Sequence, residues 1–554
     1  MSRNLNIIIL ACIIIITGCI QRINDEKATA ITTTAITKAE ILIGLQFNDT
    51  KRDSMQEGLE HNLNAYENIR ALNLSNSVAP ALQFNPLPIG FSPVVSASKP
   101  VTLNRLQVEV PGRFEDLAFY SVRELAELIR TRKITSTELT QMYLERLKKF
   151  GPQLECVVTL TEELALDQAR KMDIEIATGH YRGPLHGIPY GAKDLLAVDG
   201  YPTTWGAEPY REQIFDQDAT VIKKLDDAGA VLIAKLTLGA LAWGDVWFGG
   251  KTRNPWNLEQ GSSGSSAGPA AATAAGLVAF SIGSETWGSI VSPSTRCGVT
   301  GLRPTYGRVS RTGAMALSWS MDKLGPICRN TTDCALVFEA LYGPDGIDQT
   351  IIDLPFTYNP DIDISKLRIG YLAQDFNEDY STRGNDQNTL QRLRDLGAEL
   401  IPITLPDYPI EELAIILSAE AAAAFDELTR SGQDDQLVRQ IKNAWPNEFR
   451  VSRFIPAVEY IQANRVRRIL IQEMESLMKT VDVYVAPSLV GDNLLLTNLT
   501  GHPCVVVPNG FTDEGSPTSI SFIGRLFDEN LILAMANKYQ SATDWHLRHP
   551  PQFK

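Results

Sequence analysis

The sequence predicts an α/β fold, and three observations carry the prediction. Ser121-Val122-Arg123-Glu124 and Thr135-Ser136-Thr137-Glu138 are capping boxes, in which a hydroxyl and a glutamate satisfy the first free amides of a helix. Each opens an amphipathic segment, with Leu125, Leu128 and Ile129 on the inner face of the first and Leu139, Met142, Tyr143 and Leu147 on that of the second. A helical segment over 219–228 then runs into Gly229-Ala230-Val231-Leu232-Ile233-Ala234-Lys235, an unbroken apolar run suited to a strand buried on both faces. Further strands are predicted at 481–485 and 504–507, and helix signals alternate with strand signals without an internal repeat.

Composition bounds the function classes. The chain has 554 residues, 44% hydrophobic and 21% charged, enough for one large core plus an appendage. A net charge of -14 and a pI near 5.1 argue against a nucleic-acid partner, which calls for a basic face.

The first residues read as an export signal. Arg3 precedes an apolar run from Ile7 to Ile16, shorter than the roughly 20 residues that span a bilayer, and Ile16-Thr17-Gly18-Cys19 closes it. This resembles a bacterial lipoprotein signal, whose lipobox cysteine is diacylated after cleavage in front of it. The resemblance implies a signal over 1–18, lipidation at Cys19, and a protein tethered to a bacterial membrane outside the cytoplasm. Two of the seven cysteines fall in that segment, and the other five include no CxxC pair, so neither a zinc site nor a disulfide framework is expected. Cys328 and Cys334 are close enough in sequence to bridge, but their apolar context favours buried thiols.

Residues 19–115 are predicted as a tether and appendage. The stretch to about 38 is rich in Thr and Ala; Met55, Leu59, Leu63, Tyr66 and Ile69 then recur at helical spacing; and Pro80, Pro86, Pro88, Pro93 and Pro100 interrupt regular structure. The main domain is expected over 116–554.

Within it, two stretches carry chemistry. His186-Gly187-Ile188-Pro189-Tyr190-Gly191-Ala192-Lys193-Asp194 places a lysine among small and apolar residues, where burial favours the neutral amine that a lysine base requires. Gly261-Ser262-Ser263-Gly264-Ser265-Ser266-Ala267-Gly268 joins backbone freedom to hydroxyls, and an Ala-rich segment leads from it to Gly283-Ser284-Glu285-Thr286-Trp287-Gly288-Ser289-Ile290. A linker would not run straight into an apolar helix, and a phosphate cradle would need a lysine that is absent between Lys251 and Lys323.

Together these stretches resemble the amidase signature family, in which a lysine precedes a Gly/Ser loop and a nucleophilic serine follows the first loop serine by 24 positions. Ser289 follows Ser265 by that spacing. The resemblance continues through Cys297-Gly298-Val299-Thr300-Gly301-Leu302-Arg303-Pro304-Thr305, Met321-Asp322-Lys323-Leu324-Gly325-Pro326 and Gly501-His502-Pro503. It implies a mixed central sheet surrounded by helices, a small-molecule amide as substrate, and neither metal nor cofactor. It also implies Ser289 as nucleophile, Ser265 at a cis peptide as relay, and Lys193 as base. The backbone amides of Thr286, Trp287, Gly288 and Ser289 would form the oxyanion hole.

Several positions depart from the family pattern: Glu285 stands for Asp, Trp287 for Gly and Val291 for Arg, while Ser263 and Ala267 replace loop glycines. Trp287 gives up glycine's access to positive φ and brings an indole near the acyl pocket. These departures motivate a different class of reading, a lipid-anchored non-catalytic binding protein with an amidase-like fold. A further alternative is an α/β-hydrolase-type esterase with Ser266 as nucleophile, because 264–268 also fits G-x-S-x-G. That elbow needs a preceding strand, and 255–260 reads as polar loop. Ser96-Ala97-Ser98-Lys99 and Ser320-Met321-Asp322-Lys323 fit S-x-x-K but lack the partner motifs of β-lactamase-like enzymes. The export signal argues against a cytoplasmic component of an amidotransferase. Trp243, Trp247 and Trp256 hint at an apolar pocket, although such spacing is commoner in a core.

Overall fold

The computed structural model describes residues 31–91 and 105–554. The chain forms two compact units that meet in sequence between Ser75 and Asn76. The lipobox, Cys19 and Ser96-Ala97-Ser98-Lys99 lie outside the described residues.

In the first unit, helices span Thr33–Ile43 and Asp49–Arg70. The Thr32 hydroxyl accepts from the Ala35 N–H to start the first helix, and Gly44, in the left-handed region, ends it. The expected tether is therefore helical from Thr33, because a cap at each end overrides the modest propensity of threonine. Arg52 clips the two helices together through a 2.8 Å ion pair with the buried Glu40. The predicted helix around Met55 to Ile69 is present, yet none of its residues is buried.

The second unit contains an 11-stranded mixed sheet. Its strands are β1 (Val157–Leu160), β2 (Pro189–Lys193), β3 (Val231–Leu236), β4 (Phe280–Glu285), β5 (Thr300–Arg303), β6 (Lys323–Cys328), β7 (Ile369–Leu372), β8 (Leu400–Ile403), β9 (Val483–Pro487), β10 (Cys504–Phe511) and β11 (Pro517–Gly524). Their order across the sheet is β1-β3-β2-β4-β6-β5-β10-β11-β9-β7-β8. β2 runs parallel to both β3 and β4, whereas β4 and β6 are antiparallel. All six residues of β3, β4 and β6 are buried, as helices on the sheet require. Both capping boxes form as predicted, opening Val122–Arg130 and Ser136–Leu154.

The Ala-rich helix Ala267–Ala274 is buried along its whole length. Small side chains permit that depth: a Cβ on Gly268 would lie 2.4 Å from the Thr237 nitrogen and 2.6 Å from the Cys156 carbonyl oxygen. Residues 76–91 form neither helix nor strand, in keeping with their prolines. They are nevertheless anchored. The Asn76 amide accepts from the Ala316 N–H and donates to the Ala316 carbonyl, both at 2.8 Å, and the Arg467 guanidinium lies 3.5 Å from the centre of the Phe84 ring. The five described cysteines are free and buried.

Candidate active site

β2 carries Lys193 at its C-terminal end, fully buried beside β4. The parallel register of Ala192 opposite Ile282 brings the amine to Ser284, with Nζ 2.8 Å from Ser284 Oγ and 3.5 Å from the Ser284 carbonyl oxygen. Two more hydroxyls reach the same nitrogen, Ser265 Oγ at 2.8 Å and Ser266 Oγ at 3.1 Å. Burial pushes the lysine well below its ordinary pKa, and the more distant Asp322 and Glu285 charges do not offset it. Burial thus favours the neutral form of Lys193 among three hydroxyls.

Ser265 follows a cis peptide from Gly264, as the family resemblance implied. No side chain could replace Gly264, because a Cβ there would fall 1.9 Å from the Gly244 carbonyl oxygen. Ser263 adopts φ +60; its N–H donates to the Asp245 carboxylate at 3.1 Å and its hydroxyl pairs with Ser292 at 2.7 Å. The Ser266 N–H donates to the Ser289 carbonyl at 3.1 Å, which ties the Gly/Ser turn to the loop after β4. Ser289 is half-buried there.

That loop is organised by Glu285. One carboxylate oxygen accepts from the N–H groups of Ile290 (2.8 Å) and Val291 (2.9 Å), capping the helix Val291–Cys297, which has no side-chain cap of its own. The other accepts from Arg303 at 2.8 Å and from Asn498 at 2.9 Å. Burial alone would raise this carboxyl, but the Arg303 charge and these donors outweigh it and bring it to about 2. Thr286 donates to Asp322 at 2.6 Å, and the other oxygen of Asp322 accepts from the N–H groups of Leu317 and Ser318. Among the described residues, no acceptor takes the N–H groups of Trp287, Gly288 or Ser289.

The departures from the family pattern now have physical accounts. Trp287 does not adopt positive φ; Gly288 does, at φ +83, so the glycine sits where the backbone needs it. Trp287 is 43% exposed. Val291 is fully buried among apolar side chains, and the cation beside Glu285 comes from Arg303 on β5.

Ser266 does not fit a nucleophile elbow. It is fully buried, its hydroxyl lies 3.0 Å from the Ser284 carbonyl as donor and accepts from the Ser284 N–H at 3.1 Å. The expected polar loop before it is in part a strand, Asn257–Gly261, which pairs with Arg253–Asn254 in a short ribbon and not with the central sheet. His502 pairs with Thr500, and burial pushes it down to about 3. Ser320 and Lys323 likewise serve different partners, the hydroxyl donating to Glu420 and the amine to the Met321 carbonyl. The three tryptophans pack on aromatic neighbours, Trp243 on Trp445, Trp247 on Phe248 and Trp256 on Phe511.

Sequence reasoning singled out Lys193, Ser265, Ser289 and the 286–289 backbone. It missed the service of Ser284, Arg303, Asp322 and Asn498, although the first three stand in the stretches that carried the resemblance. No metal-holding group of three His, Cys, Asp or Glu side chains occurs among the described residues.

Comparison with known proteins identifies the family. A family model described as Amidase matches residues 138–533. The A subunit of glutamyl-tRNA(Gln) amidotransferase from Nostoc sp. is 34% identical over 481 residues, covering 78% of this chain and 99% of the relative. Its counterpart from Methylococcus capsulatus is 33% identical over 481 residues, with 78% and 98% covered. Among solved structures, the native peptide amidase from Stenotrophomonas maltophilia superposes with a TM-score of 0.71 at 28% identity, covering 79% of this chain and 100% of that one. An amidase family protein from Bacillus anthracis gives 0.70 at 27% identity, with 79% and 93% covered. The family model over 138–533 and relatives at 33–34% identity along nearly their whole length show that the chain belongs to the amidase signature family of amide-hydrolysing enzymes.

Proposed function

We propose that the chain is a serine amidase that cleaves a carboxylic amide through an acyl-enzyme on Ser289. The observation that carries the reading is the fully buried Lys193 amine 2.8 Å from Ser265 Oγ. A neutral amine has two N–H groups and one lone pair. With the N–H groups directed at Ser284 and Ser266, the lone pair is free to accept the Ser265 hydroxyl proton.

Ser265 Oγ in turn takes the proton of Ser289, whose oxygen attacks the carbonyl carbon. The tetrahedral oxyanion is received by backbone amides of residues 286–289, each such donor supplying about 3–4 kcal/mol to the barrier reduction. Collapse breaks the C–N bond, and the proton held by Lys193 passes back through Ser265 to the leaving nitrogen. Water then gives its proton to the same relay and releases the acid from Ser289.

A fluorophosphonate probe with mass mapping tests this reading. Label on Ser289, lost in Ser289→Ala and Lys193→Ala, supports it; label on Ser266 supports the esterase alternative; no labelled serine supports the binding-protein alternative. Lipidation at Cys19 and an extracytoplasmic site belong to the same proposal, supported by the Ile16-Thr17-Gly18-Cys19 motif. They are tested by the mass of the mature N-terminal peptide.

A further inference from the structure

The helix Ala457–Met478 has two opposed faces. Ala463, Arg467, Leu470, Ile471, Met474 and Met478 point into the body and are buried. At 3.6 residues per turn, Val458, Ile461, Arg465 and Ile469 fall within an arc of about 80° on the opposite side. Phe454, three residues before the helix, and Val451, on Trp445–Ser452, are two more exposed apolar side chains. These five apolar side chains are between 48% and 63% exposed. Scattered exposed aliphatics need no explanation, but a stripe at helical spacing does.

Charge identifies what covers it. Residues 437–469 hold seven Lys or Arg and two Glu or Asp, a local net charge of +5 in a chain whose total is -14. Arg450 is matched by Asp434 and Asp435, and Arg453 by Asp426. Arg467 is buried under Phe84. Arg439, Lys442, Arg465 and Arg468 have no ion-pair partner among the described residues: Arg439 donates to the Asn443 carbonyl, Arg465 to Gln462 and Arg468 to the Leu87 carbonyl. Of these, Arg439 lies over the Trp243 ring, whereas Arg465 falls on the apolar arc and Arg468 about 20° from its edge. Half-exposed apolar side chains with unmatched cations on the same helix face are the chemistry of a helix that lies in an anionic lipid interface. No described helix is long and apolar enough to cross a membrane.

We infer that the face formed by Val451, Phe454, Val458, Ile461 and Ile469 with its flanking cations docks the enzyme body flat against an anionic lipid bilayer. This contact is independent of the amidase chemistry and of any modification at Cys19.

The test uses the full chain with Cys12→Ser and Cys19→Ser, so that no lipid can attach and the remaining cysteines are the buried ones. An environment-sensitive dye is placed at Ile461→Cys, or as a control at Ile174→Cys, an exposed position on the helix Glu162–Ala177. Vesicles of phosphatidylcholine alone are compared with vesicles that also contain phosphatidylglycerol. The expected result is a blue shift at 461 on the anionic vesicles, reversed by salt and absent at 174. Because the apolar run at 7–16 would bring both dyes to the vesicle, only their difference counts. Phe454→Glu with Val458→Glu should abolish the shift at 461 on anionic vesicles while melting temperature and Ser289 labelling are kept. No shift at 461, equal shifts at both positions, or a vesicle-free shift that grows with protein concentration would overturn the inference, the last by making the face a contact between copies of the chain.

Discussion

The Glu285 carboxylate and the Arg303 guanidinium form a fully buried ion pair at 2.8 Å, at the root of the loop that carries Ser289. The same carboxylate holds the N–H groups of Ile290 and Val291, so one acidic side chain fixes both ends of a short loop. Arg303→Met should leave that carboxylate buried without its cation, at a cost of about 3–5 kcal/mol. Thermal unfolding checks the loss, and Ser289 labelling should slow with it. Unchanged stability would mean that Asn498 and the helix amides suffice for Glu285.

Activity should fall as pH drops through the pKa of Lys193. Burial lowers that pKa well below the ordinary lysine range, and the protonated amine has no lone pair for Ser265. The rate is therefore full above the shifted pKa and lost below it. Glu285 is held at about 2 and His502 is pushed down to about 3. Burial also raises the Asp322 carboxyl, so Asp322→Asn should keep the acidic limb, whereas Lys193→Arg should abolish turnover across the whole profile.

Ser284→Ala removes a hydroxyl 2.8 Å from Lys193 Nζ and leaves the proposed nucleophile and relay intact. A lost hydrogen bond of about 1.5 kcal/mol predicts roughly tenfold lower kcat at unchanged KM. Steady-state kinetics on one amide decides it. A rise in KM alone would assign Ser284 to substrate binding.

Ser266→Ala separates the two serines of the turn. Its hydroxyl is engaged with the backbone of Ser284, so the variant should keep a label on Ser289, at a rate reduced about tenfold or less.

Trp287→Ala tests whether the indole acts on substrate choice. With the residue 43% exposed and its backbone outside the positive-φ region, Trp287→Ala should leave the melting temperature nearly unchanged. A lost ring contact of about 1.5 kcal/mol would shift the ratio of kcat/KM between aromatic and short aliphatic amides roughly tenfold. Equal effects on both classes would place the ring outside the acyl pocket.

Much of this protein was legible in the residues themselves. Capping boxes, apolar periodicity and the buried strand 231–236 are short-range signals, because a cap or a strand face is decided by residues a few positions apart. That Lys193 and the Gly/Ser turn belong together was marked by their composition, a lysine among apolar residues and a run of hydroxyls and glycines, and the fold sets Lys193 2.8 Å from Ser265. Tertiary structure decided which groups serve them. Only the parallel register of β2 with β4 brings Ser284 to Lys193, and only the packing of β5 supplies Arg303 to Glu285, leaving Val291 free to be apolar. The glycine requirement at 288 and not at 287 is likewise a property of the folded loop. Such pairings join residues far apart in sequence through the register and packing of a sheet, and no local pattern records them.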